Sequence, residues 1–303
     1  MGLYLVKSKF FNKNIQSQPY RLGFLFMTKT VTIQGYEGSF HQVAAQQYFG
    51  KNVTVITCST FRDVIKIGSN KKLSDGAVMA IENSIAGSIL PNYTLLQNSK
   101  LKITGEVYLP IKQHLLVNPG VKLEDVHEVH SHHMAIQQCM EYLDKFSWKL
   151  VETEDTALSA KHVHQRKSKH IAAVASKLAA DLFKLEIVAA NIHTQKSNYT
   201  RFLILERAEE VKPTHNANKA SVNFITDHQK GSLAKVLGVI AEGDINLSKL
   251  QSMPIAGTNF KYSFHADLEF DNEAVFYKVL EKLNKITDQI TVYGIYKNGK
   301  DTN

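Results

Sequence analysis

Cysteine is scarce in this 303-residue chain: only Cys58 and Cys139 occur, far apart. Two distant thiols make no disulfide framework, and they fit a reducing cytoplasm. Long apolar runs are missing as well; none approaches the ~20 residues a membrane span needs, so no membrane partner is expected. The first 27 residues hold no acid, while Lys7, Lys9, Lys13 and Arg21 supply half of the net charge of +8. The basic balance is thus partly a property of this tail. No basic stripe with interleaved aromatics is present, so a nucleic-acid groove is not expected either. The apolar run from Leu22 to Met27 is shorter than the roughly 7–15 residues of a signal-peptide core, and no small-residue cleavage site follows. Residues 1–28 are expected to lie outside the fold, with Met27 a candidate start just before the first strand. His127, His130, His132 and His133 crowd together, yet no cysteine or well-spaced carboxylate completes a ligand set. No metal is expected.

What is present is an ordinary globular composition, 44% apolar and 21% charged, in a chain long enough for two domains and a sizeable core. Val31 to Gln34 reads as a strand, followed by Gly35-Tyr36-Glu37-Gly38-Ser39 and a helical stretch with Phe40, Ala44 and Tyr48. A strand, a glycine turn and a helix start together can bind an anion. They also serve as a plain tight turn, and two glycines leave both readings open. Gly76 to Ile81 is continuously apolar, as in a buried parallel strand, and ends in Glu82-Asn83-Ser84. Polar groups at the carboxyl end of a buried strand are placed for a ligand, although a capping role for Asn83 or Ser84 is the competing reading. Val126 to His130 leads through Ser131-His132 into a helix whose Ile136, Cys139, Met140 and Leu143 form one apolar face, with Gln138 off it. Asp155 or Thr156 is placed to cap the next helix. Lys102–Tyr108 and His114–Val117 read as strands entering a second lobe. The alternation of strand and helix over about 175 residues predicts parallel sheets.

The stretch Ser197-Asn198-Tyr199-Thr200-Arg201-Phe202-Leu203-Ile204-Leu205 puts a hydroxyl and a guanidinium at the mouth of a buried strand. Such a pair suits a small molecule bearing carboxylates and a hydroxyl. A strand edge with a solvated arginine is the plainer alternative. After a polar stretch with Pro213, read as a linker over 208–219, the pattern changes to strand, helix, two strands, helix, strand. That is the βαββαβ split unit of ferredoxin-like folds.

Five segments in order now carry a resemblance: Gly35…Gly38-Ser39-Phe40, Ile81-Glu82-Asn83-Ser84…Gly87-Ser88, Ser131-His132…Ala135…Gln138-Cys139, Asp155-Thr156-Ala157 and Asn198-Tyr199-Thr200-Arg201-Phe202. With the second unit behind them, the chain resembles prephenate dehydratase joined to a C-terminal ACT regulatory domain, of the monofunctional bacterial type, over roughly residues 30–299. The resemblance implies an α/β fold, with a two-lobed, periplasmic-binding-protein-like catalytic domain at 29–207 and an ACT domain at 220–299. It implies conversion of prephenate to phenylpyruvate without a cofactor, in a cytoplasmic homodimer or homotetramer, with phenylalanine as effector. Its catalytic positions fall on Asn83, Gln138 and Thr200. Other cleft positions are Gly38, Ser39, Glu82, Ser84, Ser131, His132, Thr156, Ala157, Arg201 and Phe202. Arg201 would hold the pyruvyl carboxylate or brace the fold. Effector positions would be Gly231, Ser232, Leu233, Ala234, Asn246, Leu247 and Ser252.

The sequence departs from the family's pattern in places. Tyr36 stands where proline is usual, and the ACT motif Glu-Ser-Arg-Pro reads Gln251-Ser252-Met253-Pro254. The loss of two charged side chains there puts feedback by phenylalanine in doubt more than catalysis. A fused chorismate mutase is not expected in the short N-terminal stretch. Two alternatives stay open. One is arogenate, which differs from prephenate by an amino group, as substrate; the other is a non-catalytic amino-acid sensor.

Overall fold

The structure, a computed structural model, describes residues 28–255, 257–258 and 261–302. The first lobe opens with strands β1 (Thr30–Gln34), β2 (Thr54–Cys58), β3 (Gly76–Asn83), β4 (Gly87–Ser88) and β5 (Leu101–Pro110). Helices α1 (Phe40–Phe49), α2 (Phe61–Gly68) and α3 (Leu90–Gln97) connect them. In β3, Gly76 to Ile81 are buried without a break, as a strand covered on both faces requires.

The second lobe holds β6 (His114–Val117), β7 (Glu128–His132), β8 (Lys149–Thr153), β9 (Ile171–Ala175) and β10 (Glu186–Ala189). Its helices are α4 (His133–Gln138), α5 (Met140–Leu143), α6 (Thr156–Arg166) and α7 (Lys177–Phe183). Strand β11 (Tyr199–Arg207) then returns to the first sheet.

The first sheet runs β2-β1-β3-β11-β5, with β4 paired to β3, and the second runs β10-β6-β9-β7-β8. Both are mixed rather than parallel. β1 is parallel to β2 and β3, but β11 is antiparallel to β3 and β5. β7 is parallel to β8 and β9, but β6 is antiparallel to β9 and β10. The physical reason is that the chain crosses between the lobes twice. It leaves through 111–113 and comes back through 190–198, so each sheet receives strands of both directions. β5, expected to enter the second lobe, stays on the first sheet as the partner of β11.

The C-terminal unit is β12 (Lys219–Ile225), α8 (Ser232–Glu242), β13 (Asn246–Pro254), β14 (Tyr262–Glu269), α9 (Glu273–Leu283) and β15 (Gln289–Tyr296). Its sheet order is β13-β14-β12-β15, the ferredoxin-like arrangement. The strand begins at Lys219, inside the stretch read as linker, because the Lys219 ammonium is buried against Glu106 at 2.9 Å. The unit rests on β5 and β11. A Cβ added to Gly294 would stand 1.9 Å from the Ile103 carbonyl oxygen, so only glycine allows this approach. Ile103, Leu203, Leu205, Met253, Tyr293 and Tyr296 share one core across the junction.

On the opposite face of the first sheet, His41 packs against Phe61 and Phe202, with ring centroids 5.6 Å and 4.9 Å away. Burial pushes its pKa down to about 3. The unfolded chain therefore takes up a proton near pH 6.5 that the folded chain refuses, and stability is lost as pH falls from there. Between pH 6.5 and 5 the loss carried by this residue is up to about 2 kcal/mol. Urea midpoints at the two pH values, compared between the wild type and His41→Phe, should show the slope reduced in the variant.

Candidate active site

β3 ends and β11 begins side by side, with Thr200 opposite Asn83 and Arg201 opposite Glu82. The Asn83 amide is fully engaged. Its Oδ1 accepts from the Ile85 and Ala86 N–H groups at 3.0 and 2.9 Å. Its Nδ2 donates to Asn198 Oδ1 at 2.8 Å, Tyr199 O at 3.1 Å and Thr200 Oγ1 at 3.0 Å. Two backbone donors on the oxygen fix which end of the amide faces Thr200. Thr200 Oγ1 therefore accepts, and its own proton has no acceptor among the described residues. That proton is available to a ligand. Ser84 closes the network, donating to Ser197 O at 3.1 Å and accepting from Tyr199 N at 2.9 Å.

Arg201 points the other way, because successive residues of a strand face opposite sides. It is 4% exposed and is spent on the C-terminal unit and its neighbours. Nε reaches Glu106 at 2.6 Å, Nη1 reaches Asp267 at 2.5 Å, and Nη2 donates to the Tyr296 hydroxyl at 3.1 Å. These contacts are those of the bracing role expected for it, and it also lines the cavity at this junction. Burial alone would raise the Asp267 carboxyl, but the Arg201 guanidinium, with His265 and Lys219, holds it well below the usual carboxylate range. Glu82 likewise turns to the C-terminal unit, pairing with Lys249 at 2.5 Å. A cavity of 240 Å³ at this junction is lined by Glu82, Tyr108, Arg201 and Lys249 among others.

The other cleft residues gather where the lobes meet. Gly35 and Gly38 have φ of 93° and 88°. A Cβ on Gly35 would come within 2.8 Å of Asp155 Oδ2, and one on Gly38 within 3.0 Å of Ala179 Cα. The turn therefore works first as a close lobe-to-lobe approach, and the Gly38 N–H is taken by Gln42 at 2.7 Å. Ser39 is buried, and its hydroxyl has no partner among the described residues. Asp155 caps α6, accepting from Ala157 N and Leu158 N at 2.7 and 2.9 Å. Thr156 is half-buried beside it, and Ala157 is buried.

Three of the expected cleft residues have contacts within the protein. Ser131 is fully buried and donates to Val174 O at 2.6 Å. Phe202 lies in the first-lobe core, 1% exposed. The His132 Nδ1 accepts from Met134 N at 3.3 Å, and burial, helped by His133, lowers its pKa. Gln138 is half-buried and tied to the return crossing through its backbone carbonyl, which accepts from Thr194 N at 2.8 Å. The crossing 190–198 thus links Gln138 at one end to Asn83 and Thr200 at the other.

Sequence reasoning missed Asn198 as a working member. It is 1% exposed and holds the Asn83 amide. Its place inside the motif stretch was the available signal. The partners of Arg201 gave none, since Glu106 and Asp267 lie 95 and 66 residues away.

The expected effector residues fall in two groups in one chain. Gly231, with φ 83°, precedes α8, where Ser232, Leu233 and Ala234 form the first turn and Ser232 bonds Asp227. Ser252, in line with Phe264 and Phe224, belongs to this end of the sheet. Asn246 and Leu247 begin β13 at the far end, where Asn246 donates to Glu269 at 3.1 Å.

Residues 31–210 match the family described as prephenate dehydratase. A bifunctional chorismate mutase/prephenate dehydratase of Enterobacter agglomerans is 34% identical over 88% of this chain and 70% of its own length. An Arabidopsis thaliana protein named arogenate dehydratase/prephenate dehydratase 1 is 36% identical over 79% of this chain and 64% of its length. Among solved structures, a protein described as a novel type of quorum-quenching acylase superimposes with a TM-score of 0.82 at 29% identity, covering 91% of this chain and 100% of the other. An Arthrobacter aurescens prephenate dehydratase in complex with L-Phe gives 0.79 at 25% identity, covering 89% and 90%.

Proposed function

The chain belongs to the prephenate dehydratase family, and from that premise we propose that it converts prephenate to phenylpyruvate, CO₂ and water. The observation that carries this reading is the 3.0 Å hydrogen bond from the fixed Asn83 amide to Thr200 Oγ1. It leaves the hydroxyl proton free for a departing oxygen. In the reaction the ring C–O bond breaks with its electron pair on oxygen. The bond from the ring to its carboxylate breaks with its pair entering the ring, and CO₂ leaves. The ring becomes aromatic, and the hydroxide takes up a proton to become water. Atoms and electrons balance without a redox partner. Thr200 donates to the leaving oxygen, and this bond strengthens as negative charge grows there, which is what lowers a barrier. Asn83 holds Thr200, Asn198 holds Asn83, and Gln138 faces the substrate from the second lobe.

The acylase chemistry named for one structural relative finds less support. An amide-cleaving hydroxyl needs a base beside it, and the partner of Thr200 among the described residues is a neutral amide.

The C-terminal unit is read as an ACT regulatory domain, and the L-Phe complex of the Arthrobacter relative supports phenylalanine as effector. Met253 stands where the family has arginine; here it is buried at the junction with β5 and β11. Gln251 donates to the neighbouring Ser252 carbonyl at 3.0 Å. The two halves of the effector set lie at opposite ends of α8, so two chains pairing through the edge strand β13 would bring them together in a homodimer or homotetramer. The reaction is cytoplasmic in this reading, and arogenate, named for the plant relative, is the competing substrate.

The test is the formation of phenylpyruvate by purified protein, read as the alkaline enolate, from prephenate, with arogenate and its product phenylalanine as the parallel assay. Turnover of prephenate that added phenylalanine suppresses supports both halves. Turnover of arogenate alone moves the substrate, and turnover of neither overturns the enzyme reading.

A further inference from the structure

With Arg201 turned away, the two carboxylates of the substrate need other partners. The structure offers them at the crossings between the lobes. His114 begins β6 and pairs with Ala175 at the end of β9, so Lys177, two residues further, lies beside it at the carboxyl end of a parallel strand. That edge is where ligands sit in open α/β sheets. Lys112 precedes His114 on the outgoing crossing. The return crossing is bound to the outgoing one: Ile192 N donates to Gln113 O at 2.9 Å, and Gln113 N to His193 Nδ1 at 3.4 Å. Lys196 is held there by the Asn191 and His193 carbonyls at 2.7 and 2.6 Å, and an ammonium has a third N–H to give.

Positive charge is thus gathered at the crossings, with Glu141 lining the cavity beside Lys196. Lys112, Lys177 and Lys196 are exposed, and none of them forms an ion pair among the described residues. Of the acids at neighbouring strand ends, Glu82 is paired with Lys249 and Asp155 caps the start of α6. The two histidines report the same field. Burial lowers the pKa of His114, and His193, Lys112 and Lys177 lower it further. Burial, Lys196 and Lys112 do the same to His193. Each ring accepts a backbone N–H at Nδ1, from Asn191 at 3.3 Å and from Gln113 at 3.4 Å. Kept neutral, both rings brace the crossings and leave the charge to the lysines.

We propose that Lys112 and Lys177, with Lys196 on the return crossing, form the carboxylate-binding edge of the cleft and take the place in substrate recognition that the motif reading gave to Arg201. A dianion whose carboxylate and pyruvyl arm leave one ring carbon toward opposite faces fits cations on separate elements better than one guanidinium. This assignment rests on the reading of the chain as a prephenate-binding enzyme.

The experiment separates the two. In the wild-type protein, Lys112→Met and Lys177→Met should each raise KM for prephenate about tenfold, the loss of one charged contact, with kcat within twofold. Lys177→Arg should stay near wild type. Raising the salt should raise the wild-type KM and leave that of the double variant nearly unchanged. Titration calorimetry of prephenate into Thr200→Val protein, with and without the two lysine substitutions, reads binding without turnover. Weakening of about a hundredfold in the lysine-substituted protein, near the product of two tenfold losses, is the expected result. A Kd or KM unchanged by both substitutions overturns the assignment while leaving the enzyme intact. Failure of the wild type to form phenylpyruvate overturns the catalytic reading instead. The calorimetry then still decides the lysines, and absence of prephenate binding to the parent overturns both.

Discussion

Thr200→Val should lower kcat for phenylpyruvate formation by about 100- to 1,000-fold, the range seen when one preorganised donor to a developing oxyanion is removed. Valine keeps the branched shape and the strand preference of threonine, so β11 should form unchanged. The Asn83 amide loses one of three acceptors but keeps Asn198 Oδ1 and Tyr199 O. The variant should therefore fold, and a far-ultraviolet spectrum and thermal midpoint close to wild type would show that the loss is chemical. KM should change little, since the bond to the leaving oxygen is strongest as the oxygen departs.

The second large effect lies one residue along. Arg201→Met should destabilise the protein by roughly 3–5 kcal/mol, because it removes one partner of a buried ionic network and strands the others. Asp267 and Glu106 have fully buried side chains, each within 2.6 Å of the guanidinium. Glu106 retains Lys219 at 2.9 Å, whereas Asp267 keeps the Ser221 hydroxyl, His265 at 3.5 Å and the more distant Lys219 charge. Replacing Arg201 and Asp267 together by apolar residues should cost less than Arg201→Met alone, since no buried charge is then unpaired. Urea denaturation of the two single variants and the double gives the coupling directly. Equal destabilisation in the double variant and the sum of the singles would refute the network.

These two positions show what the sequence made legible and what it did not. Asn83 was readable because it closes the apolar strand β3, and Thr200 because it opens the apolar strand β11; a polar group at the mouth of a buried strand has few places to go but a cleft. The βαββαβ order was readable because the helical stripe of Leu233, Val236, Leu237 and Ile240 and the alternation at Tyr262–Phe270 have different periods. The fate of Arg201 was not readable. Its direction depends on a second sheet stacked on β5 and β11, and the carboxylates that capture it are distant in sequence. Strand direction failed for a similar reason. β11 is antiparallel to β3 because the chain re-enters the first lobe from the second, which local alternation does not encode. The inward register of Ser131, which gives its hydroxyl to Val174 O, was not legible from its place in a motif at a strand end. The lysines of the crossings carry no motif at all, and only the register of β6 with β9 and the hydrogen bonds between the crossings bring them together.

In the proposed reaction the Thr200 hydroxyl, held by Asn83, donates to the departing oxygen. Single-turnover formation of phenylpyruvate from prephenate by Thr200→Ser and Thr200→Val proteins tests it most directly, because product release is removed from the rate. Serine restores the hydroxyl on the same strand. Thr200→Ser should stay within about tenfold of wild type while Thr200→Val falls by about two to three orders of magnitude. Equal rates for the serine and valine proteins would contradict it.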